Sequence, residues 1–223
     1  MIVGIHQPNY LPYLGFFDKL KKSDIFIIYD DAQFNKADFQ HRNRIRIYHG
    51  SKWLTVPVEK KPLNINRIAI KNDVTLKGGS WNEVHFNEIR NNYSNTLYYK
   101  DYESELLDIY SQKYDYLVDL NLDLINFFSK AFNIKTKTIL SSEFNFNSKS
   151  TEKIIDLVNA VDGDTYLSGI GGKSYLNSSN FQKAGINILF QQFEHPKYVQ
   201  QYKGFIPNMS SIDVLLNVGK CPL

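Results

Sequence analysis

The chain predicts an α/β protein built on a mostly parallel, Rossmann-like sheet flanked by helices, with a helical segment around residues 80–132. Three observations predict it. Residues 2–5 are an apolar run followed by Leu14, Phe16, Phe17 and Leu20 at helical spacing and then by the second apolar run IFIIY, which is the strand, helix, strand opening of a parallel sheet. The last third repeats that rhythm, with strands expected over 136–140, 165–168 and 186–190 and a helix over 150–161. Between them, residues 116–132 carry the strongest helical stripe of the chain, Leu117, Leu120, Leu124, Phe128 and Ala131, widened by Val118, Ile125 and Phe132.

Each element has its own signal. The first strand runs into His6, Gln7, Asn9 and Tyr10 between Pro8 and Pro12, so a stiff turn carries these polar groups at a strand end, where ligands of open α/β sheets bind. The second strand ends at Asp30 and Asp31, followed by Gln33, Lys36 and the basic stretch His41, Arg42, Asn43, Arg44, Arg46. Residues 52–58 alternate apolar and polar as a strand, with Pro57 favouring an edge, and 67–70 read as a short strand beside it. Trp81, Val84 and Ile89 mark one helix and residues 103–110 another. Ser148 or Ser150 is the expected N-cap of the helix over 150–161, with Glu152 near its positive end. Residues 210–218 close the chain as a helix that packs Ile212, Leu215 and Leu216. No repeat, linker or composition break divides the chain, so the expectation is a single domain over 1–223.

Composition narrows the function classes. Tyr and Phe number 15 each against 2 Met, which gives a bulky aromatic core. The 26 Lys and Arg are nearly balanced by 23 Asp and Glu, which argues against nucleic acid or an anionic membrane as the main partner and leaves a small anionic substrate. A single cysteine, Cys221, rules out an intrachain disulfide framework or a thiolate metal cluster. No signal-peptide pattern or membrane-length apolar run is present, so the expected setting is the cytoplasm, with no membrane span.

Three polar clusters each follow an expected strand: His6, Gln7, Asn9 and Tyr10; Asp30 and Asp31 with the basic stretch; and Ser168 and Gly169 leading through LSGIGGK to Tyr175. Parallel neighbouring strands would gather them at one sheet end. The glycine turn can bring backbone N–H groups to phosphate, or be a plain flexible turn. Asp30 and Asp31 are adjacent and on a strand point to opposite faces, so at most one is expected to act, as base or orienting group, while capping or pairing with Arg42 or Arg44 is the bland alternative. Arg42, Arg44 and Arg46 alternate and so share a face, a comb suited to a diphosphate or to a solvated edge strand. His195 follows the strand over 186–190, with Gln191, Tyr198 and Gln200 nearby, and His6 and His195 are the best proton-shuttle candidates. His41, His49 and His85 read as surface or edge residues. No histidine spacing supports a metal site. Tyr10, Tyr13 and Tyr175 either stack on a base or fill the core.

Taken together, HQPNYLPYLGFFDKL, YDDAQFNKADFQHRNRI, WLTVPV, TYLSGIGGKSYL, GINILFQQFEHPKYVQ and FIPNMSSIDVLLNVG resemble the WbqC-like family of bacterial proteins over nearly the whole chain. The resemblance implies a place in surface-polysaccharide metabolism, such as O-antigen biosynthesis, and an enzyme that transfers an acyl or aminoacyl group to the amine of a nucleotide-linked amino sugar. The alternatives are a non-catalytic nucleotide-sugar-binding or scaffold protein of the same pathway, and a nucleotidyltransferase-like enzyme using nucleoside triphosphate and a divalent metal. The cofactor is left unknown and no resident metal is expected. The expected catalytic residues are His195, Asp30 and His6. The expected substrate-binding residues are Gln7, Asn9, Tyr10, Asp31, Gln33, Arg42, Asn43, Arg44, Ser168, Gly169, Tyr175, Gln191 and Tyr198.

Overall fold

The computed structural model describes residues 1–59, 61–174 and 176–223. In chain order its elements are β1 Ile2–His6, α1 Leu14–Lys21, β2 Ile25–Ile28, β3 Arg42–Ile47, β4 Gly50–Thr55, β5 Thr75–Leu76 and β6 Gly79–Ser80. They continue with α2 Trp81–Tyr93, α3 Tyr99–Ser111, α4 Leu117–Ala131, β7 Lys137–Leu140, α5 Ser150–Asn159, β8 Thr165–Ser168, α6 Ser178–Lys183, β9 Asn187–Phe190 and α7 Ser211–Val218. The chain divides into two compact units: residues 1–7, 15–31 and 134–194 form the first, and residues 8–14, 32–133 and 195–223 the second.

The first unit is the α/β fold that the strand and helix rhythm predicts. Its five strands are hydrogen-bonded in the order β7-β2-β1-β8-β9, and every pairing is parallel. Counting only these strands, the order is 3-2-1-4-5, the doubly wound arrangement in which the chain changes direction beside its first strand. Because side chains alternate along a strand, each sheet face has its own cover. Val3, Ile5, Ile27 and Tyr166 pack with Ile154, Leu157 and Val158 of α5 and Phe181 of α6. Phe26, of the opposite parity, meets Phe16 of α1 edge-on at 5.3 Å. Gly4 sits beside Phe26 in the register, and a Cβ there would come within 2.2 Å of Ser23 Oγ and 2.8 Å of Phe26, so this close approach admits only glycine.

The second unit holds the helical segment expected around 80–132, now resolved as α2, α3 and α4, together with α7 and the antiparallel pairs β3–β4 and β5–β6. Its core is aromatic and aliphatic, with Tyr93, Tyr99, Leu117, Leu124, Phe128 and Leu215 all fully buried. A buried carboxylate ties it together. Asp213, in the first turn of α7, accepts hydrogen bonds from Tyr93 Oη at 2.8 Å, Tyr198 Oη at 2.6 Å and Gln200 Nε2 at 2.7 Å.

Several local expectations are corrected. Within the short strand expected over 67–70, Arg67 ends a 3-10 turn over Ile65–Arg67 and only Ala69 and Ile70 make isolated bridges, to Tyr116 and Val58. The cap position of α5 is Lys149, and Ser150 is the first helical residue, with φ at 52°; Ser148 instead donates its hydroxyl to Asp156. His41 and His85 are buried, not superficial: His85 lies on the inner face of α2, where Nδ1 is 2.8 Å from Tyr10 Oη.

Two substitutions test this packing. Gly4→Ala is expected to lower unfolding free energy by about 1–3 kcal/mol, because the new methyl overpacks against Ser23 and Phe26. Asp213→Ala is expected to cost about 3–5 kcal/mol by orphaning three donors, those of Tyr93 and Gln200 buried and that of Tyr198 partly so. Urea unfolding of the purified variants measures both.

Candidate functional site

The parallel order brings the ends of all five strands of the first unit to one edge. There lie His6 at the end of β1 and Gln7 after it, Asp30 and Asp31 after β2, Ser141 after β7, Ser168 at the end of β8 and Gly169 after it, and Gln191 after β9. The chain reverses direction between β1 and β8, and at that position a pocket of about 420 Å³ opens. His6 and Gln7 line it from β1, Tyr166 and the glycines 169, 171 and 172 from β8 and its turn, and Ser150 from the start of α5. A ligand crevice is expected at this topological switch point.

The pocket also contains a residue that the sequence did not single out. Lys19, in the last turn of α1, is only 2% exposed and donates from Nζ to the carbonyl oxygen of Ile5 at 2.6 Å. Burial pulls its amine from the ordinary 10.5 down to about 7, so near neutral pH it exchanges between ammonium and free amine. His6 stands beside it. Desolvation, and then the Lys19 charge, lower the His6 imidazole to about 4, which keeps it neutral at physiological pH. Its Nδ1 lies 2.8 Å from the Gln7 carbonyl oxygen, which can only accept, so Nδ1 carries the proton and Nε2 is the ring's acceptor. The ring packs edge-on against Phe16 at 5.1 Å, which holds its orientation.

The glycine turn after β8 is shaped for backbone approach. A Cβ placed on Gly169 or Gly171 would meet nothing within 4 Å, whereas one on Gly172 would strike Ser168 Oγ at 2.1 Å. Ser168 itself is fully buried, and its hydroxyl donates to the Gly169 carbonyl at 3.1 Å, so it shapes the turn. Tyr175, expected to bind substrate, lies outside the described residues.

Asp30 and Asp31 depart from the expectation that adjacent carboxylates diverge. Ser141 Oγ is 3.0 Å from Asp30 Oδ1 and 2.5 Å from Asp31 Oδ1, so both meet the same hydroxyl. The reason is that β2 ends at Ile28, so strand alternation no longer governs these positions. Asp30 also accepts from the Ser142 backbone N–H at 3.0 Å, and Asp31 pairs with the buried Lys153 at 3.0 Å. Gln191 turns its amide to the Gly15 carbonyl at 2.8 Å and to Asp18 at 2.7 Å, holding α1.

The remaining expected residues belong to the second unit. Tyr10 is fully buried, with Oη 2.6 Å from that of Tyr110, and therefore fills the core. Asn9 is buried, and Gln33 is exposed and joins Asn64 in a backbone bridge. Asn43 donates to the Leu11 carbonyl at 2.7 Å and fastens a turn in which Leu11 adopts a φ of 44°. Arg42 and Arg44 share one face of β3, as the alternation predicts, with their guanidinium carbons 4.7 and 5.5 Å from the Trp53 ring centre. Both Nε atoms are buried without a hydrogen-bond partner among the described residues, while Arg42 donates one terminal N–H to the Ala37 carbonyl at 2.8 Å. His195 is half-buried, its Nδ1 2.9 Å from the Pro196 carbonyl oxygen, and Tyr198 is committed to Asp213. Among the described residues, no group of three or more His, Cys, Asp or Glu side chains could hold a metal ion. No helix among them is long and apolar enough to cross a membrane.

Comparison with known proteins agrees with the resemblance in sequence. The model of the WbqC-like protein family matches residues 7–222, through both units. The chain belongs to the WbqC-like family. It is 32% identical over 219 residues to the uncharacterized protein Rv1507c of Mycobacterium tuberculosis, covering 97% of this chain and 94% of that protein. No solved structure matches the chain.

The buried amine has a signature in stability. The Lys19 pKa is lower in the folded than in the unfolded chain, so the unfolded state binds more protons between about 7 and 10.5, and stability from this group rises with pH across that window. Comparing urea unfolding of the native chain and Lys19→Met at pH 7 and pH 10 is expected to show the native chain gaining roughly 3–5 kcal/mol relative to the variant.

Proposed function

We propose that this protein is an enzyme acting on a nucleotide-linked amino sugar, and that it transfers an acyl or aminoacyl group to the sugar amine. The observation that carries the reading is the switch-point pocket, where a neutral imidazole and a desolvated lysine amine meet an open glycine turn. The 3-2-1-4-5 sheet supports a nucleotide as part of the ligand, because folds of this order bind nucleotides at the same crevice. WbqC-like membership supports the carbohydrate setting that the resemblance implies. The working compartment in this reading is the cytoplasm.

The chemistry is an addition and elimination at the acyl carbonyl. The sugar amine attacks the carbonyl carbon, the new C–N bond forms, and the bond to the donor's leaving group breaks. Of the three proton-transfer candidates, His6 is the one that lines this pocket, so it is assigned the base: its Nε2 takes the proton lost by the attacking amine. Lys19 in its ammonium form stabilises the negative charge that builds on the carbonyl oxygen, where exclusion of water strengthens the interaction. The N–H groups of the turn at Gly169 and Gly171 serve phosphate. Asp30 and Asp31 set the loop after β2 through Ser141.

The test is a thermal-shift panel of nucleotide sugars, followed by acyl-transfer assays read by mass spectrometry. A uridine-diphosphate amino sugar is expected to raise the melting temperature, and Gly171→Asp, which puts a carboxylate into the open turn that lines the pocket, to abolish that rise. His6→Gln is expected to keep ligand binding and lose about 10²–10⁴-fold in turnover. A well-folded protein that no nucleotide sugar stabilises would overturn the reading.

A further inference from the structure

The two lysines buried among the described residues have different surroundings. Lys153, 4% exposed, has a counter-ion, with its Nζ 3.0 Å from Asp31 Oδ2. Lys19, 2% exposed, makes no ion pair among the described residues. Its hydrogen bond to the Ile5 carbonyl satisfies one of the three N–H groups that an ammonium carries. Buried charges are ordinarily paired, because an ion taken out of water without a partner is costly.

The surroundings of Lys19 leave the place of that partner open. Its neighbour on α1, Asp18, pairs with Lys22 at 2.7 Å, and Asp31 is taken by Lys153. Glu152, in the first turn of α5, is exposed and outside the pocket lining. Around the pocket, Lys19 shares the lining with the neutral His6 of β1, Tyr29 just after β2, Ser150 and Ile154 of α5, and Tyr166 of β8, whose ring centre lies 5.8 Å from Lys19 Nζ. Among the described residues no Asp or Glu lines it. The hydroxyls of Tyr29 and Ser150 make no hydrogen bond among the described residues, and Ser150 begins α5, at the positive end of the helix dipole. A carboxylate-free pocket with open donors around a buried cation is the complement of an anion.

We infer that the switch-point pocket is an oxyanion seat, in which a negatively charged oxygen of the bound group enters as the missing counter-ion of Lys19, with the Tyr29 and Ser150 hydroxyls as its further donors. The seat is coupled to a proton. Burial brings Lys19 down to about 7, so at pH 8 the amine of the empty pocket is mostly neutral, and an arriving anion restores the ammonium with a proton drawn from solvent. His6, held at about 4, stays out of this exchange. Two sources share the chemistry: a phosphate of the nucleotide, and the oxygen that gains charge when the acyl carbonyl is attacked. Use of the seat in transfer rests on the function proposed above; the seat and its proton do not.

Sulfate, a tetrahedral dianion that does not titrate near neutral pH, is the probe, and uncharged dimethyl sulfone of similar shape is the control. Calorimetric titration of the full chain in two buffers of different protonation enthalpy is expected to show saturable sulfate binding, with uptake of about 0.9 proton per sulfate at pH 8 and about 0.1 at pH 6, and with affinity about tenfold weaker at pH 8. Dimethyl sulfone is expected not to bind. Lys19→Met is expected to abolish sulfate binding, and Lys19→Arg to keep it without proton uptake, because a guanidinium stays charged. If neither variant folds, NMR of Lys19 Nζ in the native chain replaces them, and sulfate is expected to raise its titration midpoint from about 7 to above about 9. Added uridine diphosphate separates the two sources: competition with sulfate identifies a phosphate seat, and joint binding identifies the seat of the carbonyl oxygen. No saturable sulfate binding, binding without proton uptake at pH 8, dimethyl sulfone bound as well as sulfate, or an unmoved Lys19 midpoint would overturn the inference. Proton-linked sulfate binding by a chain that binds no uridine diphosphate would instead remove the nucleotide reading and keep the seat.

Discussion

A lysine amine driven into the edge of a β-sheet is the constraint around which the site is organised. Lys19 sits at the end of a short aromatic helix, and its neighbours Phe16, Phe17 and Leu20 are fully buried, so the helix cannot roll the lysine out to solvent without exposing them. The amine is compensated by a hydrogen bond to the Ile5 carbonyl at the end of β1. That contact fixes the helix against the strand whose end carries His6, and desolvation does the rest. It lowers the lysine toward neutrality, and it holds the imidazole neutral beside it. Groups with perturbed proton affinity in a cleft at a switch point are the usual marks of a reactive site.

The sheet was legible because its physics is local. Apolar runs bounded by turns, alternating with helical periodicity, give the strands and their parallel sense, and adjacency of β1, β2 and β8 then gathers His6, Asp30 and Ser168 at one edge. The residues that matter most were hidden because their environments are set by distant chain. Lys19 in FFDKL looks like any lysine in the last turn of a helix, where a cation is favoured anyway. Nothing near Asp30 and Asp31 announces that Ser141, 111 and 110 residues away, lies between them. His41 and His85 lack a local apolar pattern strong enough to mark burial, which comes from packing against Phe34 and Trp81. A signal for Lys19 did exist: an amphipathic helix with Phe16, Phe17 and Leu20 on its inner side also turns the position three after Phe16 inward.

The second unit uses polar groups differently. Its hydroxyls and a deeply buried carboxylate are spent on each other, with Tyr93, Tyr198 and Gln200 around Asp213 and Tyr10 between His85 and Tyr110. Such satisfied networks specify a fold. Against that background, three buried nitrogens have no hydrogen-bond partner among the described residues: Nε of Arg42 and Arg44 beside Trp53, and Nδ1 of His41.

If the switch-point pocket holds the ligand on which the protein acts, its residues must respond when that ligand binds. Amide and side-chain NMR of the isotopically labelled chain, titrated with a uridine-diphosphate amino sugar, tests this most directly. Saturable shifts are expected at His6, Gln7, Lys19 and the glycines 169, 171 and 172, with the Lys19 Nζ signal changing its titration midpoint from about 7 once the ligand is bound. Saturable binding that leaves those signals unmoved would contradict the assignment of the pocket.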